Sequence, residues 1–451
     1  MDEMIILASG HLIISQLASF SMKYSCRQRA LSVGEERSEE IRYNALVFML
    51  VIVIPLAILL ATILALYVTG SSSFELLFLY PLSMAFLIIV DTEIMIERSL
   101  LAADKAIFIN MAYTILNSVL VPLFYYINPT LRSILWAWII GLVVTVLLDI
   151  RKPFQILRKK KLNLQTLHYL LRFSFPIYLS QLPRLISSHI NKFIMFEFLE
   201  TGATSIFYWP NRILSIIREM IFIVATGSAL LFNKLNIVDK ERLRDSFLGL
   251  FRTIVLISAV VYFWIYLDAA ILIYLLLGEG YIEAVLFFRL LCITWIITSM
   301  TTVMINLKDA QGHRRILVKG NLLDFSSKIV LLLILISLGV LGVVLTELFV
   351  AILYFVYYLK NTKYLHVNDN FIRLGIFITI VSITAHIGIF IENFDLFVMM
   401  ILNLIYIGIA IGCFFMIKPL TTRDIRFIDN IIPQKLQWTL TYYHPSKSKF
   451  D

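Results

Sequence analysis

Long apolar segments alternate with short polar connections along almost the whole chain. Thirteen of these segments approach the roughly 20 residues that a helix needs to cross the hydrocarbon core of a membrane. They lie at 4–20, 44–69, 75–96, 106–127, 132–150, 169–199, 203–232, 248–276, 281–306, 317–336, 340–359, 371–391 and 396–417. Because only helices and closed barrels satisfy their backbone in lipid, the pattern predicts an all-α, polytopic membrane protein with about 13 transmembrane helices.

The composition agrees with this class. Apolar residues make up 60% of the chain and charged residues 15%, well below the roughly 25% charge of a soluble domain. The net charge of +9 lies mostly in connections beside helix ends. Anionic inner-leaflet lipid attracts each such cation by about 1 kcal/mol, so membrane lipid rather than nucleic acid is the expected partner of these charges.

The distribution of cations predicts the orientation. Of the 39 Lys and Arg residues, 30 fall in alternate connections and in the tail, and Arg132 is the one cation in the opposite connections. The basic connections are 21–43, 97–105, 151–168, 233–247, 307–319, 360–373 and the tail from 418. The positive-inside rule therefore predicts a multi-pass membrane protein with a cytoplasmic C-terminus.

Several activities lack the residues that would carry them. The chain has no G-x-x-x-x-G-K-[ST] loop, no H-E-x-x-H and no Cys/His cluster, so we expect neither nucleotide hydrolysis nor a metal or cofactor. A non-enzymatic transporter is the favoured class. A polytopic sugar-lipid transferase or polymerase is the rival, although the predicted external connections are only a few residues long.

A repeat organises the chain into two pseudo-symmetric bundles. A shift of 208 residues superimposes four helices of the first half on four of the second, namely 44–69 on 248–276, 75–96 on 281–306, 106–127 on 317–336 and 132–150 on 340–359. The predicted domains are 1–150, a basic cytoplasmic linker at 151–168, a second bundle at 169–360, a further helix pair at 361–417 and a cytoplasmic tail at 418–451. Halves of equal topology are typical of transporters with a cleft between parallel repeats.

The same shift has a consequence at the start of the chain. Applied backwards, it places the counterpart of the helix at 169–199 at about –39 to –9, before Met1. The repeat therefore predicts that the first helix of the first half is missing from this sequence, and a true thirteen-helix protein is the alternative. An in-frame apolar segment within about 40 codons upstream of Met1 would supply it.

Five stretches of the chain carry a family resemblance, namely LLRFSFPIYLSQLPRLISSHINKFIMFEFLETGATSIFYWPNRI at 170–213, LLGEGYIEAVLFFRLL at 276–291, NLKDAQGHRR at 306–315, LGVLGVVLTELFVAILYF at 338–355 and LTTRDIRFIDNIIP at 420–433. They resemble the polysaccharide-biosynthesis flippases, the O-antigen and oligosaccharide exporters of the multidrug/oligosaccharidyl-lipid/polysaccharide (MATE-like) superfamily. The resemblance implies a V-shaped transporter of the prokaryotic plasma membrane that moves lipid-linked oligosaccharide by alternating access. Multidrug and peptidoglycan-precursor exporters of the same superfamily remain alternatives.

The candidate substrate site is a set of polar residues inside predicted spans. Four of them, Gln181, Arg184, Ser188 and Lys192, lie within about 80° of one face of the helix at 169–199. Arg212 and Arg218 belong to a second polar arc after Pro210. Charges at such depth normally face water or a partner, and Arg218 could instead serve an ion pair with its neighbour Glu219.

The expected cargo fits these cations. A lipid-linked oligosaccharide carries phosphate or pyrophosphate, which Arg can hold with two parallel hydrogen bonds and Lys as a point charge. A coupling ion, H⁺ or Na⁺, is a further expected partner.

Two groups of intramembrane charges are ambiguous from sequence. Asp91, Glu93 and Glu97 crowd the end of one span, where they would either bind a cation or proton or be solvated at the interface. Asp324 and Lys328 are four residues apart, so we expect them to pair on one helix face.

Overall fold

A computed structural model describes residues 2–18, 35–69, 74–99, 103–149, 162–218, 232, 240–362, 369–390 and 396–420. Every regular element in these residues is a helix. Each of the thirteen apolar segments predicted from sequence contains helix within the described ranges. The all-α, polytopic fold class is therefore confirmed.

The chain divides into two compact units, Met1–Glu197 and Phe198–Asp451. The helices of the first unit are α1 (Asp2–Ala18), α2 (Glu35–Phe48 and Ile54–Thr69, joined by a π-helical turn at Met49–Val53), α3 (Phe74–Ser99), α4 (Ala103–Ile127), α5 (Leu131–Asp149) and α6 (Leu164–Phe198). All but the last residue of α6 lies in this unit. The domain boundaries proposed from the repeat, with the linker at 151–168, stay a prediction.

The second unit contains the remaining described helices. They are α7 (203–218), α8 (Lys240–Leu267), α9 (Ala269–Leu277), α10 (Ala284–Ala310), α11 (Arg314–Leu335), α12 (Val340–Asn361), α13 (Asp369–Phe390) and α14 (Leu396–Ile417). Of these, α13 packs on α8, and α14 packs on α13.

The two units repeat one packing order. In the first, α3 contacts α2, α4 and α5, and α4 contacts α5. In the second, α10 contacts α8, α11 and α12, and α11 contacts α12. The repeat in helix spacing is thus accompanied by a repeat in helix packing.

Eight of the described helices are long and apolar enough to cross a membrane, and two shorter apolar helices lie at Met111–Ile127 and Ile401–Ile417. The long helix α6 is not among the eight, because polar residues and charges interrupt its apolar sequence. These lengths and compositions identify a multi-pass membrane protein.

The π turn in α2 has a local cause. Pro55 has no backbone N–H and its ring crowds the carbonyl four residues earlier, which belongs to Val51. The helix widens there, so that the Ile54 N–H donates to the Met49 carbonyl, five residues back. A wider turn relieves the clash while the helix continues through the membrane.

Candidate functional site

Helix α6 is attached to α2 near its first residues. Asn163 caps α6, since its side-chain oxygen accepts hydrogen bonds from the backbone N–H groups of Gln165 and Thr166. The Asn163 amide and the Thr166 hydroxyl both donate to the Glu40 carboxylate at 2.7 Å. The beginning of α6 is thereby fixed to the beginning of α2.

The end of α6 meets the same neighbour. The Tyr67 hydroxyl donates a hydrogen bond to the Glu197 carboxylate, and the Tyr67 ring lies 6.3 Å from that of Phe196. Between the two ends, Leu170 of α6 is buried in the hydrophobic core of the first unit. Contacts near both of its ends therefore join α6 to the first unit.

The four residues of the polar stripe predicted on α6 differ in their exposure. Arg184 and Ser188 are exposed, whereas Gln181 and Lys192 are partly buried. The Ser188 hydroxyl donates to the Leu185 carbonyl within the helix. Pro176 and Pro183 both lie inside a continuous helical segment.

The other two predicted cations lie on α7, in the second unit. Arg212 is exposed. Arg218 is partly buried, and its guanidinium carbon lies 4.6 Å from the centre of the Trp295 ring on α10. At this distance the ring face attracts the cation. Glu219, the alternative partner considered for Arg218, lies outside the described residues.

One face of α7 carries polar residues at regular intervals, and sequence reasoning missed Thr204 among them. Thr204 and Asn211 precede Arg218 at intervals of seven residues, so the three share a helix face with the buried Phe207 and Leu214. The seven-residue spacing of Thr204, Asn211 and Arg218 is the sequence pattern that places Thr204 on this face.

Beside Arg218, the α8–α10 interface contains buried polar side chains. Tyr262 of α8 is fully buried, and the Arg218 charge acts electrostatically on its hydroxyl. Ser258 lies one helical turn before Tyr262 and is also fully buried. With Arg218 and Trp295 these side chains form the "Arg218 cluster" of the second unit.

The candidate residues thus separate into two groups. Gln181, Arg184, Ser188 and Lys192 belong to the first unit, and Arg212 and Arg218 to the second. Their joint role in binding a substrate stays a prediction.

Two intramembrane carboxylates of the first unit are partnered. Glu93 forms an ion pair with Arg42 at 2.7 Å, with both side chains buried, and Asp91 accepts a hydrogen bond from Ser15. The interpretation of Glu93 as a solvated helix-end acid is wrong, because α2 covers it with a cation.

The second unit contains two further polar connections between helices. Lys328 of α11 pairs with Glu347 of α12 at 2.9 Å, while Asp324 adds electrostatic attraction from one turn away. The Tyr266 hydroxyl of α8 is 3.0 Å from Nε2 of His386 on α13. The Arg289 side chain donates to the Tyr266 carbonyl at 3.3 Å.

No family model and no curated protein sequence matches this chain. Solved structures match it in fold. The inward closed conformation of the lipid II flippase MurJ aligns with a TM-score of 0.66 and 14% identity, covering 96% of this chain and 98% of MurJ.

Two other similar structures are transporters. An inward-facing multidrug-resistance MATE family transporter of the MOP superfamily has a TM-score of 0.62 at 17% identity, covering 79% of this chain and 88% of its own. A MOP superfamily transporter from Pyrococcus furiosus, described as having a binding pocket of reverse polarity, has a TM-score of 0.54 at 16% identity, covering 80% and 85%. This chain therefore has the fold of the transporters and flippases of the MOP superfamily.

Proposed function

We propose that this protein is a flippase that moves a lipid-linked oligosaccharide, a precursor of polysaccharide, across the plasma membrane by alternating access. The reaction needs no covalent step, and the protein is accordingly not an enzyme. The fold similarity to a lipid II flippase and to multidrug exporters supports transport by this fold.

The observation that carries the choice of cargo is the sign of the intramembrane charges. Arg184 and Lys192 on α6, and Arg212 and Arg218 on α7, are cations on helices that the membrane must accommodate. Burying a cation in a span is costly, so such residues normally face a hydrated path or an anionic group. A phosphate or pyrophosphate carrier with a hydroxyl-rich sugar matches this requirement.

Gln181 and Ser188 add neutral hydrogen-bonding groups to the same stripe. Side chains of this kind suit sugar hydroxyls, while Arg and Lys suit the phosphate. We include all six residues in the proposed substrate path. Transport against a gradient requires coupling, for which H⁺ or Na⁺ is the proposed ion.

The second candidate is export of a peptidoglycan precursor, because the lipid II flippase MurJ covers 96% of this chain in the structural alignment. Lipid-linked cell-wall precursors share the anionic carrier and the sugar, so the charges alone do not separate the two cargoes. A multidrug exporter for cationic drugs is less favoured, since it would need acidic rather than basic groups along its path.

Deletion of the gene tests the proposal. We expect lipid-linked oligosaccharide to accumulate on the inner leaflet while surface polysaccharide is lost, and the plasmid-borne gene should reverse both effects. Accumulation of peptidoglycan precursor instead would support the second candidate. Unchanged surface polysaccharide together with unchanged lipid intermediates would contradict both.

A further inference from the structure

On α8 and α10 of the second unit, three buried polar side-chain atoms have no hydrogen-bond partner among the described residues. They are the hydroxyls of Ser258 and Tyr262 and the indole nitrogen of Trp295. Ser258 and Tyr262 are both fully buried. Leaving such groups unsatisfied costs free energy, and most buried polar groups in proteins are paired. Three such atoms on two helices that pack together are groups that a polar ligand would satisfy.

One of these side chains, Trp295, lies against a cation. Ser258 and Tyr262 are one turn apart on α8, and Trp295 lies on α10, which packs along α8. The Arg218 guanidinium lies 4.6 Å from the Trp295 ring centre and acts electrostatically on the Tyr262 hydroxyl. The Arg218 cluster therefore combines three unpartnered donors with one positive charge.

The chemistry of the cluster favours an anion. Indole nitrogen can only donate a hydrogen bond, a guanidinium can only donate, and hydroxyls can donate. Between 246 and 267 of α8, and between 284 and 308 of α10, the sequence contains no Asp or Glu. A metal cation would find no charged oxygen within these two segments, whereas an oxyanion would find donors.

We propose that Arg218, Tyr262 and Trp295 bind an oxyanion of phosphate or pyrophosphate, with Ser258 as a neighbouring donor. This inference rests on the proposed function and extends it to named groups that receive the phosphate of the cargo. The Trp295 ring holds the guanidinium by its face. The indole N–H and the Tyr262 hydroxyl then complete the coordination of the phosphate oxygens.

Binding of defined probes tests the site. The full chain, purified into nanodiscs of uncharged phosphatidylcholine, is titrated calorimetrically with inorganic pyrophosphate and with farnesyl pyrophosphate. We expect Tyr262→Phe and Trp295→Phe to weaken binding about tenfold each, because each removes one hydrogen bond to a charged acceptor and leaves an aromatic ring in place. Arg218→Ala should abolish binding.

A matched control is available on α14. The Tyr406 hydroxyl donates to the Val260 carbonyl at 2.8 Å, so Tyr406→Phe deletes a buried hydroxyl outside the cluster. It should bind both probes like the unmodified protein. Thermal unfolding of each variant shows whether the fold persists, and Ser258→Ala supplies a second small change within the cluster.

The arms of the titration separate the sources of phosphate. Tighter binding of farnesyl pyrophosphate than of inorganic pyrophosphate indicates a lipid-linked ligand. Displacement of the probe by added phosphatidylglycerol would mean that the cluster holds a membrane phospholipid, which contradicts the assignment to cargo. Absence of binding by the unmodified protein, or equal binding by a folded Tyr262→Phe/Trp295→Phe protein, would overturn the site and leave only water there.

The outcomes for site and function are distinguishable. If pyrophosphate binding depends on Tyr262 and Trp295 but gene deletion leaves surface polysaccharide intact, the site stands and the proposed function fails. If deletion abolishes export but the double variant binds and exports normally, the function stands and this site fails.

Discussion

Arg42 and Glu93 form an ion pair of 2.7 Å that is buried between α2 and α3 of the first unit. Only 5% and 7% of the two side chains are exposed. Each charge neutralises the other beside the hydrophobic core of the first unit. The pair therefore connects two helices. From sequence, Arg42 belonged to the connection at 21–43 and Glu93 to the end of the span at 75–96.

We expect Arg42→Ala or Glu93→Ala to lower the free energy of unfolding by about 3–5 kcal/mol, because each leaves one buried charge unpaired. Arg42→Met combined with Glu93→Leu should recover most of this loss. Denaturant titration of the purified protein measures the effect. Arg132→Ala is the control, since its ion pair with Glu75 has more than half of both side chains exposed. A small loss in both single variants would show that the buried pair is dispensable.

Export should depend on the intramembrane cations of both units. Arg184→Ala or Arg218→Ala is expected to abolish surface polysaccharide while membrane protein levels persist. Arg→Lys at either position should restore part of the activity, because Lys keeps the charge but not the bidentate geometry. Normal export by the double Ala variant would exclude a cationic substrate path. Arg315→Ala, at an exposed helix start, is the matched control.

The attachment of α6 to α2 can be measured at Asn163. Replacing Asn163 with Ala removes the helix cap and the contact with Glu40. We expect a loss of about 1–2 kcal/mol in unfolding free energy, larger than for Gln165→Ala, whose side chain is exposed. Asn163→Asp keeps the capping oxygen but places a second carboxylate beside Glu40, so it should also destabilise. Equal stability of all three variants would mean that this end of α6 is not held by α2.

Orientation can be tested with single cysteines in a background without Cys26, Cys292 and Cys413. An impermeant thiol reagent should label Glu200→Cys and Glu279→Cys in intact cells, since both positions are exposed and lie in the predicted external connections. His313→Cys should react only after permeabilisation. Labelling of His313→Cys from outside would reverse the predicted topology. Glu200 is preferred to Gly202, because the positive φ of 99° at Gly202 disfavours a side chain.

Membrane class and helix positions could be predicted from sequence because they depend on local properties. About 20 consecutive apolar residues specify a spanning helix whatever its neighbours are. The shift of 208 residues also predicted which helices of the two halves correspond, and the packing order of α3 and α10 repeats in the same way. Hydropathy and spacing along the chain contain all of this information.

Partners of intramembrane side chains depended on tertiary structure. Local spacing pointed to Asp324, which attracts Lys328 from one turn away, but it gave no sign of the 2.9 Å ion pair of Lys328 with Glu347 on the next helix. A charge in a membrane binds whichever opposite charge the packing places against it, and sequence separation does not limit that choice.

The candidate cationic residues also combine a property that the sequence determines with partners that only the tertiary structure determines. The sequence by itself identified Arg184 and Arg218 as charges that a membrane must accommodate. The tertiary structure decided that α6 packs with the first unit, and it put Trp295 and Tyr262 beside Arg218. Apolar helix faces pack by fitting the side-chain ridges of one helix into the grooves of another, so many helices could pair and the whole bundle decides which do. The need to shield a charge from lipid, by contrast, is a property of the residue itself.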